Sequence, residues 1–346
     1  MSSSATNLTQ LTQFGRKYQV QVLFPPDEGG NREVITITDS AFEPEALRVT
    51  FDVYTVAWQA FWYADIAIYN LDQQTTNKIL GSGAPVASQA PPIKQGMEVI
   101  VSAGYQNGNF GVIWDGFVLQ PFWERVDVTD FKITLHCVVG LDLISQNSIN
   151  KTYAAFTQQE EIVRGIANAA FRKIPVDTIS KNLPQTQLPR GKTVFGSPAK
   201  YFTQAAEAND MQWWLSSRGL NMGKPDEDLA EVSRDNIIVY TPDTGIVGTP
   251  QQTQYGVSFR VLMDPRIVVK KPLMQVKIDN STIRLQKWQI NVLPGILDQD
   301  GIYVVAAARY LGDTRGQEWY TEVTGYTAVG GKLAMLQAAM AASLNG

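Results

Sequence analysis

The one histidine of this chain, His136, stands beside its one cysteine, Cys137, in the run that begins at Phe131 and reads Phe-Lys-Ile-Thr-Leu-His-Cys-Val-Val. A nucleophile and its base must touch, and a third acidic group must orient the base. In this run Phe131, Ile133, Leu135 and Cys137 alternate with Lys132, Thr134 and His136, which predicts a strand with one dry and one wet face. Neighbouring strand side chains point to opposite faces, so the pair cannot form a catalytic couple, and Cys137 reads as a buried inert thiol. A lone cysteine also excludes an intrachain disulfide and a cysteine-pair metal site.

Three other constellations have the residue types for chemistry. Gly191-Lys192-Thr193 has the ending of a phosphate-binding loop, but Thr186 stands where the upstream glycine belongs, and no apolar strand leads into it. A linker turn is the reading. Gly104, Gly108 and Gly111 have the wrong spacing for a dinucleotide fingerprint and lie between two strand patterns, which predicts a hairpin loop. Asp313 and Glu318, in Gly-Asp-Thr-Arg-Gly-Gln-Glu-Trp, are the types used in glycoside hydrolysis, where two carboxyls stand roughly 5 to 10 Å apart. Acidic residues in a glycine-containing hairpin turn are ordinarily solvated, and that is the expectation here. The aromatic cluster Trp58, Phe61, Trp62 and Tyr63 has the types of a sugar-stacking platform, but aromatics dominate cores and interfaces, so packing is the expectation. No catalytic, cofactor-binding or metal-ligating residue is assigned, and the chain reads as non-enzymatic and free of cofactors.

The elements that position these residues are mostly strands. The 346 residues suit two or three domains, with 44% hydrophobic and only 18% charged residues, and 8 Trp, 13 Tyr and 14 Phe favour pleated, half-buried surfaces. The net charge of −4 and the scattered lysines and arginines give no footprint for gripping phosphates, so no specific nucleic-acid binding is expected. No apolar run approaches the roughly 20 residues that span a bilayer, and the polar start lacks the pattern of a secretory signal. Residues 1–14 read as a flexible arm.

Period-two alternation runs almost unbroken from Tyr18 to Ile144, which predicts a first antiparallel sandwich or barrel over 15–147. The period changes at Thr157, where Thr157-Gln-Gln-Glu160 has the pattern of a capping box ahead of Ile162, Val163, Ile166, Ala169 and Ala170, predicting a helix of about four turns. Ser197-Pro198 opens a second helix as N-cap and first turn. Two strand patterns follow, Met211 to Gly223 and Asn236 to Pro242, closing a mixed α+β unit over 148–249. Alternation resumes over 250–330 as a second β domain, and 331–346 reads as a short amphipathic helix with Leu333, Leu336, Met340 and Leu344 on one face.

Four segments of the first block, Ile66 to Leu71, Gly96 to Tyr105, Val112 to Gln120 and Phe131 to Ile144, resemble the first domain of baseplate hub proteins of contractile-tailed phages. There an apolar strand ending in Tyr-Asn-Leu precedes a glycine-initiated strand ending in Ala-Gly-Tyr. Two segments of the second block, Asp264 to Ile278 and Asp298 to Tyr326, resemble that family's entry to a barrel and its closing hairpin.

The resemblance implies a mainly β fold with a small α+β insert and two tail-tube-like antiparallel β-barrel domains. It implies a homotrimeric ring that adapts a six-fold tail tube to a three-fold spike and surrounds the DNA-ejection channel. The implied partners are tail tube or tube-initiator proteins, a central spike protein and wedge proteins of the baseplate, with no membrane among them. The implied place is the virion tail, after assembly in the host cytoplasm. The alternative reading is a carbohydrate- or receptor-binding tail protein, which needs solvent-facing aromatics around a groove.

Overall fold

Alternating apolar side chains become a hydrogen-bonded ladder when each strand can bury one face. A computed structural model of the chain describes residues 15–26, 30–40, 46–58, 61–83, 96–140, 148–170, 174–181, 183, 187–224, 233–269, 273–285 and 297–327. The expected N-terminal arm and C-terminal helix lie outside them.

The first block forms the strands β1 (Arg16–Leu23), β2 (Val34–Ser40), β3 (Val49–Val56), β4 (Tyr63–Tyr69), β5 (Glu98–Tyr105), β6 (Phe110–Arg125) and β7 (Phe131–Val138), with helix α1 (Gln73–Gly83) between β4 and β5. Asp72 starts α1 by accepting the Thr75 amide at 2.9 Å. Every second residue of β1 and β3, such as Tyr18, Val20, Val22, Phe51 and Val53, is buried.

The insert contains β8 (Ile149–Tyr153), α2 (Gln159–Ala169), β9 (Val176–Ile179), β10 (Lys192–Gly196), α3 (Pro198–Glu207), β11 (Gln212–Ser216) and β12 (Gly219–Gly223). The second block adds β13 (Ser233–Tyr240), β14 (Ile246–Gln252), β15 (Gly256–Leu262), β16 (Met274–Ile278), β17 (Arg284–Leu285), β18 (Ile302–Asp313) and β19 (Trp319–Tyr326). The fold is mainly β with a small α+β insert, as the sequence predicts.

The two β blocks are joined edge to edge. The described sheet has 14 strands, and its main path runs β17, β14, β15, β19, β18, β3, β4, β7, β6, β5, β1, β2. The joint is the antiparallel pairing of Ala307–Asp313 in β18 with Thr50–Val56 in β3. Upstream of a bulge at Val305/Ala307, the same strand pairs instead with β16, which continues to β13, so the sheet forks. The far end of the first block then returns to the joint. The indole of Trp319 donates to the Gly104 carbonyl at 3.2 Å, and Arg16 on β1 donates to the carbonyls of Asp313 and Gly316 at 2.9 and 2.6 Å. The first block therefore curls through β3, β4, β7, β6, β5 and β1 back onto the β18–β19 hairpin.

The insert departs from expectation in detail. Thr157 does not cap α2: its hydroxyl donates backward to the Ala154 carbonyl at 2.9 Å, and Gln158 holds the N-cap position without a side-chain hydrogen bond. The capping box is overturned because Gln158 is drawn into a β-bridge with Gln187, which shifts the helix start one residue on and leaves three turns instead of four. Ser197 and Pro198 occupy N-cap and first-turn positions as expected, again without a cap hydrogen bond. The run Met211 to Gly223 is two strands, not one, a hairpin whose second strand also pairs in parallel with β9. The strand Asn236 to Pro242 leaves the insert and joins the main sheet as β13. Strand β14, Ile246–Gln252, begins before the expected start of the second β block at 250 and runs into it.

Candidate functional site

None of the sequence-derived constellations closes into a reaction centre, and the structure gives each another task. Cys137 is buried, and burial pushes its thiol far above the usual range. His136 lies on the opposite, exposed face, where its Nδ1 is 2.6 Å from Asp65 across the β4–β7 pair. Asp65 is the acidic partner that the sequence does not reveal, and only strand register brings it there. Lys192 and Thr193 open β10, with Thr193 and Thr152 hydroxyls 3.1 Å apart, so the Gly-Lys-Thr run is a strand start. The glycines 104 to 111 make the β5–β6 hairpin, and a Cβ at Gly104, with φ of +153°, would stand 1.9 Å from the Asn109 carbonyl oxygen.

The aromatic cluster mostly packs inward. Trp62 is buried with its indole donating to the Val56 carbonyl at 2.7 Å, Phe61 meets Trp213 of the insert edge-on at 6.0 Å, and only Tyr63 of the four is exposed. Exposed apolar residues gather on the part of the β6–β7 hairpin that outruns β5, where Leu119, Phe122, Trp123, Val126 and Val128 face solvent, while others such as Phe156 and Phe195 are scattered over the insert.

The residues that matter converge on the joint between β3 and β18. Asp313 is not the solvated turn residue expected but is buried, and Arg48 grips both its carboxylate oxygens at 3.1 and 2.7 Å. Burial pushes this carboxyl up, yet Arg48 and the amides of Arg315 and Gly316 outweigh that and hold it below the usual range. Glu318 shares no substrate gap with it: the Asp313 amide donates to the Glu318 carbonyl at 2.7 Å, and the Glu318 carboxylate accepts from Tyr320. Thr314 and Val49 exchange two further bonds at 3.0 Å, which closes the clasp.

A second carboxylate lies beneath the joint. Asp264 has no exposure, yet it accepts from the Tyr240 hydroxyl at 2.8 Å and from Arg266 Nε and Nη2 at 2.9 and 2.6 Å. Burial, together with this adjacent carboxylate, pushes the Tyr240 hydroxyl far upward. The Asn109 amide oxygen, turned to the guanidinium, accepts from Arg266 at 2.8 Å, and Gly111 packs beside Pro265, so the network also ties in the β5–β6 turn. The Asp-Pro-Arg spelling at the end of an apolar run was the one available signal in sequence for this buried pair.

Above the joint, the sheet's other face is wet. Strand register aligns Arg260 of β15, Glu322 of β19, Arg309 of β18, Asp52 of β3, Asp65 of β4 and His136 of β7 on it. Arg260 meets Glu322 at 2.6 Å, Arg309 meets Glu322 at 3.8 Å, and Arg309 grips Asp52 at 2.8 and 2.6 Å. The row therefore crosses the joint as a chain of ion pairs.

Among the described residues no group of three or more metal-ligating side chains gathers, and no helix is long and apolar enough to cross a membrane. The arrangement is one of scaffolding: a clasp, a buried strut and two contrasting exposed regions.

The family described as Baseplate hub gp41 matches residues 32–280. Among solved structures, the 43 kDa tail protein of prophage MuSo2 from Shewanella oneidensis is similar at 10% identity, covering 91% of this chain and 99% of that one with a TM-score of 0.52. The tail protein from Neisseria meningitidis MC58 is similar at 10% identity, covering 91% and 97%, with a TM-score of 0.51. These two likenesses show the fold. No curated protein matches the sequence.

Proposed function

This chain belongs to the baseplate hub gp41 family, whose role in the phage tail is structural, and from that membership we propose that it forms a homotrimeric ring at the centre of the baseplate. The ring adapts a six-fold tail tube, or its tube-initiator protein, to a three-fold spike, is held by wedge proteins, and surrounds the channel through which DNA leaves. Each chain contributes two tube-like units, the first over 15–147 and the second over the expected 250–330 together with β13 and β14, which the sheet takes from the end of the expected insert 148–249. The chain performs no catalysis in this reading and is assembled into the virion tail in the host cytoplasm.

The observation that carries the reading is the joint itself. Two β units are fused through β3 and β18 in one chain, and in this reading each stands in for one tube subunit, so three chains supply six around an axis. The described ladder still ends at β2 on one side and at β17 on the other, and strand edges left open invite pairing or covering between copies. A closed ring uses each contact surface once and stops growth. The apolar tip of the β6–β7 hairpin gives such a ring a protein-binding element, since interface cores favour aromatics over charges.

Cryo-electron microscopy of purified tails, with the mass of the isolated protein in solution, tests this. Three copies per baseplate arranged about the tail axis are expected. One or six copies, or a chain on the tail periphery, would overturn the ring.

A further inference from the structure

The wet face above the joint is charged in a particular way. Arg260 is answered by Glu322, Arg309 by both Glu322 and Asp52, and His136 by Asp65. Further along the same face Lys132 of β7 is held by Glu124 of β6 at 2.6 Å. Three fixed cations meet four carboxylates, so this set sums to 3 − 4 = −1 without His136. Arg260 is further occupied by the ring of Tyr320, 4.0 Å from its guanidinium carbon. The face is continuous from β15 to β7 because the joint leaves no gap in the ladder.

The face also carries exposed Tyr63, packed on Tyr54 with ring centroids 5.3 Å apart, but its row of ion pairs is poorly suited to hold a protein, because interface cores are depleted of charge and desolvating ion pairs costs more than it returns. It also has nothing to grip a phosphate backbone, whose binding depends on cations free to displace condensed counterions. A wall that stays hydrated while its arginines are already neutralised lets a polyanion slide past without capture.

We infer that this face, carried by β15, β19, β18, β3, β4 and β7, lines the channel and faces the duplex DNA that passes through it, and that Asp52 and Glu322 are there to mask Arg309 and Arg260. The inference rests on the hub reading. It assigns to the lumen one specific face and to two carboxylates the task of preventing retention.

The test has two arms. In the first, the full-length wild-type protein and the double variant Asp52→Asn, Glu322→Gln are titrated with fluorescent duplex DNA at two salt concentrations. Unmasking the two arginines of each chain should give binding that the wild type lacks, weakening between about 50 and 200 mM salt by roughly tenfold for the two phosphate contacts of one chain and by about a thousandfold where all three chains of a ring engage. Equal binding by both proteins overturns the masking role. The second arm uses wild-type protein only, so it stands even where the variant fails to fold: a cryo-electron microscopy map of the baseplate shows where Arg309 and Asp65 point. Directed at the tail axis, they support the inference. Directed at the outer rim, or buried against another chain, they overturn it while leaving the hub reading intact, whereas a chain absent from the tail centre overturns the hub reading itself.

Discussion

Asp264 with Arg266 and Asp52 with Arg309 are the same chemistry in two places. Both are carboxylates gripped through two guanidinium nitrogens, at 2.6 to 3.1 Å in the first case and 2.6 to 2.8 Å in the second. The Asp264 side chain is 1% exposed and that of Asp52 36%. Water screens the outer pair and takes over when it is broken, whereas the inner carboxylate is out of reach of water and depends on Tyr240 and Arg266 alone among its side-chain partners. Position relative to the sheet, not residue type, decides whether an ion pair is a strut or a surface property.

The largest expected effect is at the strut. Asp264→Asn removes the charge that Arg266 and Tyr240 share and puts an amide nitrogen where one of them donates, and should cost about 3 kcal/mol, at the lower end for a broken buried pair because Arg266 is itself partly exposed. Urea unfolding followed by tryptophan fluorescence measures it, and a loss no larger than that at Asp52 would erase the contrast. Next is Gly312→Ala. A Cβ there would stand 2.1 Å from the Phe51 ring, which itself meets Trp319 edge-on at 5.5 Å, so the joint must shift. About 2 kcal/mol of destabilisation is expected from overpacking, partly relieved when Phe51 is also replaced by leucine.

A third carboxylate sharpens the comparison by having the wrong neighbour. Asp115 on β6 faces Glu98 on β5 instead of an arginine, while Arg32 is committed to Glu98 at 2.6 Å. Burial first, then Glu98, pushes the Asp115 carboxyl up to about 6. A raised pKa contributes stability that is present below the unfolded value near 3.9 and lost as pH rises through the folded one. Asp115→Asn should therefore stabilise by about 1 kcal/mol at pH 7, allowing for solvent screening, with the gain vanishing below about pH 4. Thermal unfolding across that range checks the sign. Asp313 has the opposite linkage, since its lowered carboxyl contributes above the unfolded value and that contribution is lost as pH falls. The smallest effects are at the surface: Asp52→Asn and Thr157→Ala should each stay within about 0.5 kcal/mol, the first because the pair is screened and the second because no cap is lost. A loss of about 1 kcal/mol at Thr157 would restore the capping box.

The fold was legible where one face of a strand is dry. Val20, Val22, Phe51, Val53, Ile133 and Leu135 announce β1, β3 and β7 through alternation alone, and all are buried. The strands that escaped notice are short and wet: in β8 only the end residues Ile149 and Tyr153 are buried, and β14 carries Gly248 and Pro250 with one buried position. Helix α2 was legible in its apolar spacing but not in its start, because the bridge that recruits Gln158 comes from Gln187. At the joint the same limit is sharper. Asp313 was visible as an acidic turn residue, but its partner Arg48 is 265 positions away, and nothing local to either names the other. Asp65 and His136 likewise meet only through register.

The joint between β3 and β18 also sets a schedule for the chain as it is made. Arg309 and Asp52 are separated by 257 positions, so at synthesis rates of about 5 to 20 residues per second the outer edge of β3 waits roughly 10 to 50 s for its partner strand to be translated. During that interval the first block cannot finish its curl, because the Trp319 and Arg16 contacts that close it need the β18–β19 hairpin. The first β block is thus completed only by strands made about 250 residues later, and a nascent chain that stops before Ile302 carries the outer edge of β3 without the strand that pairs with it.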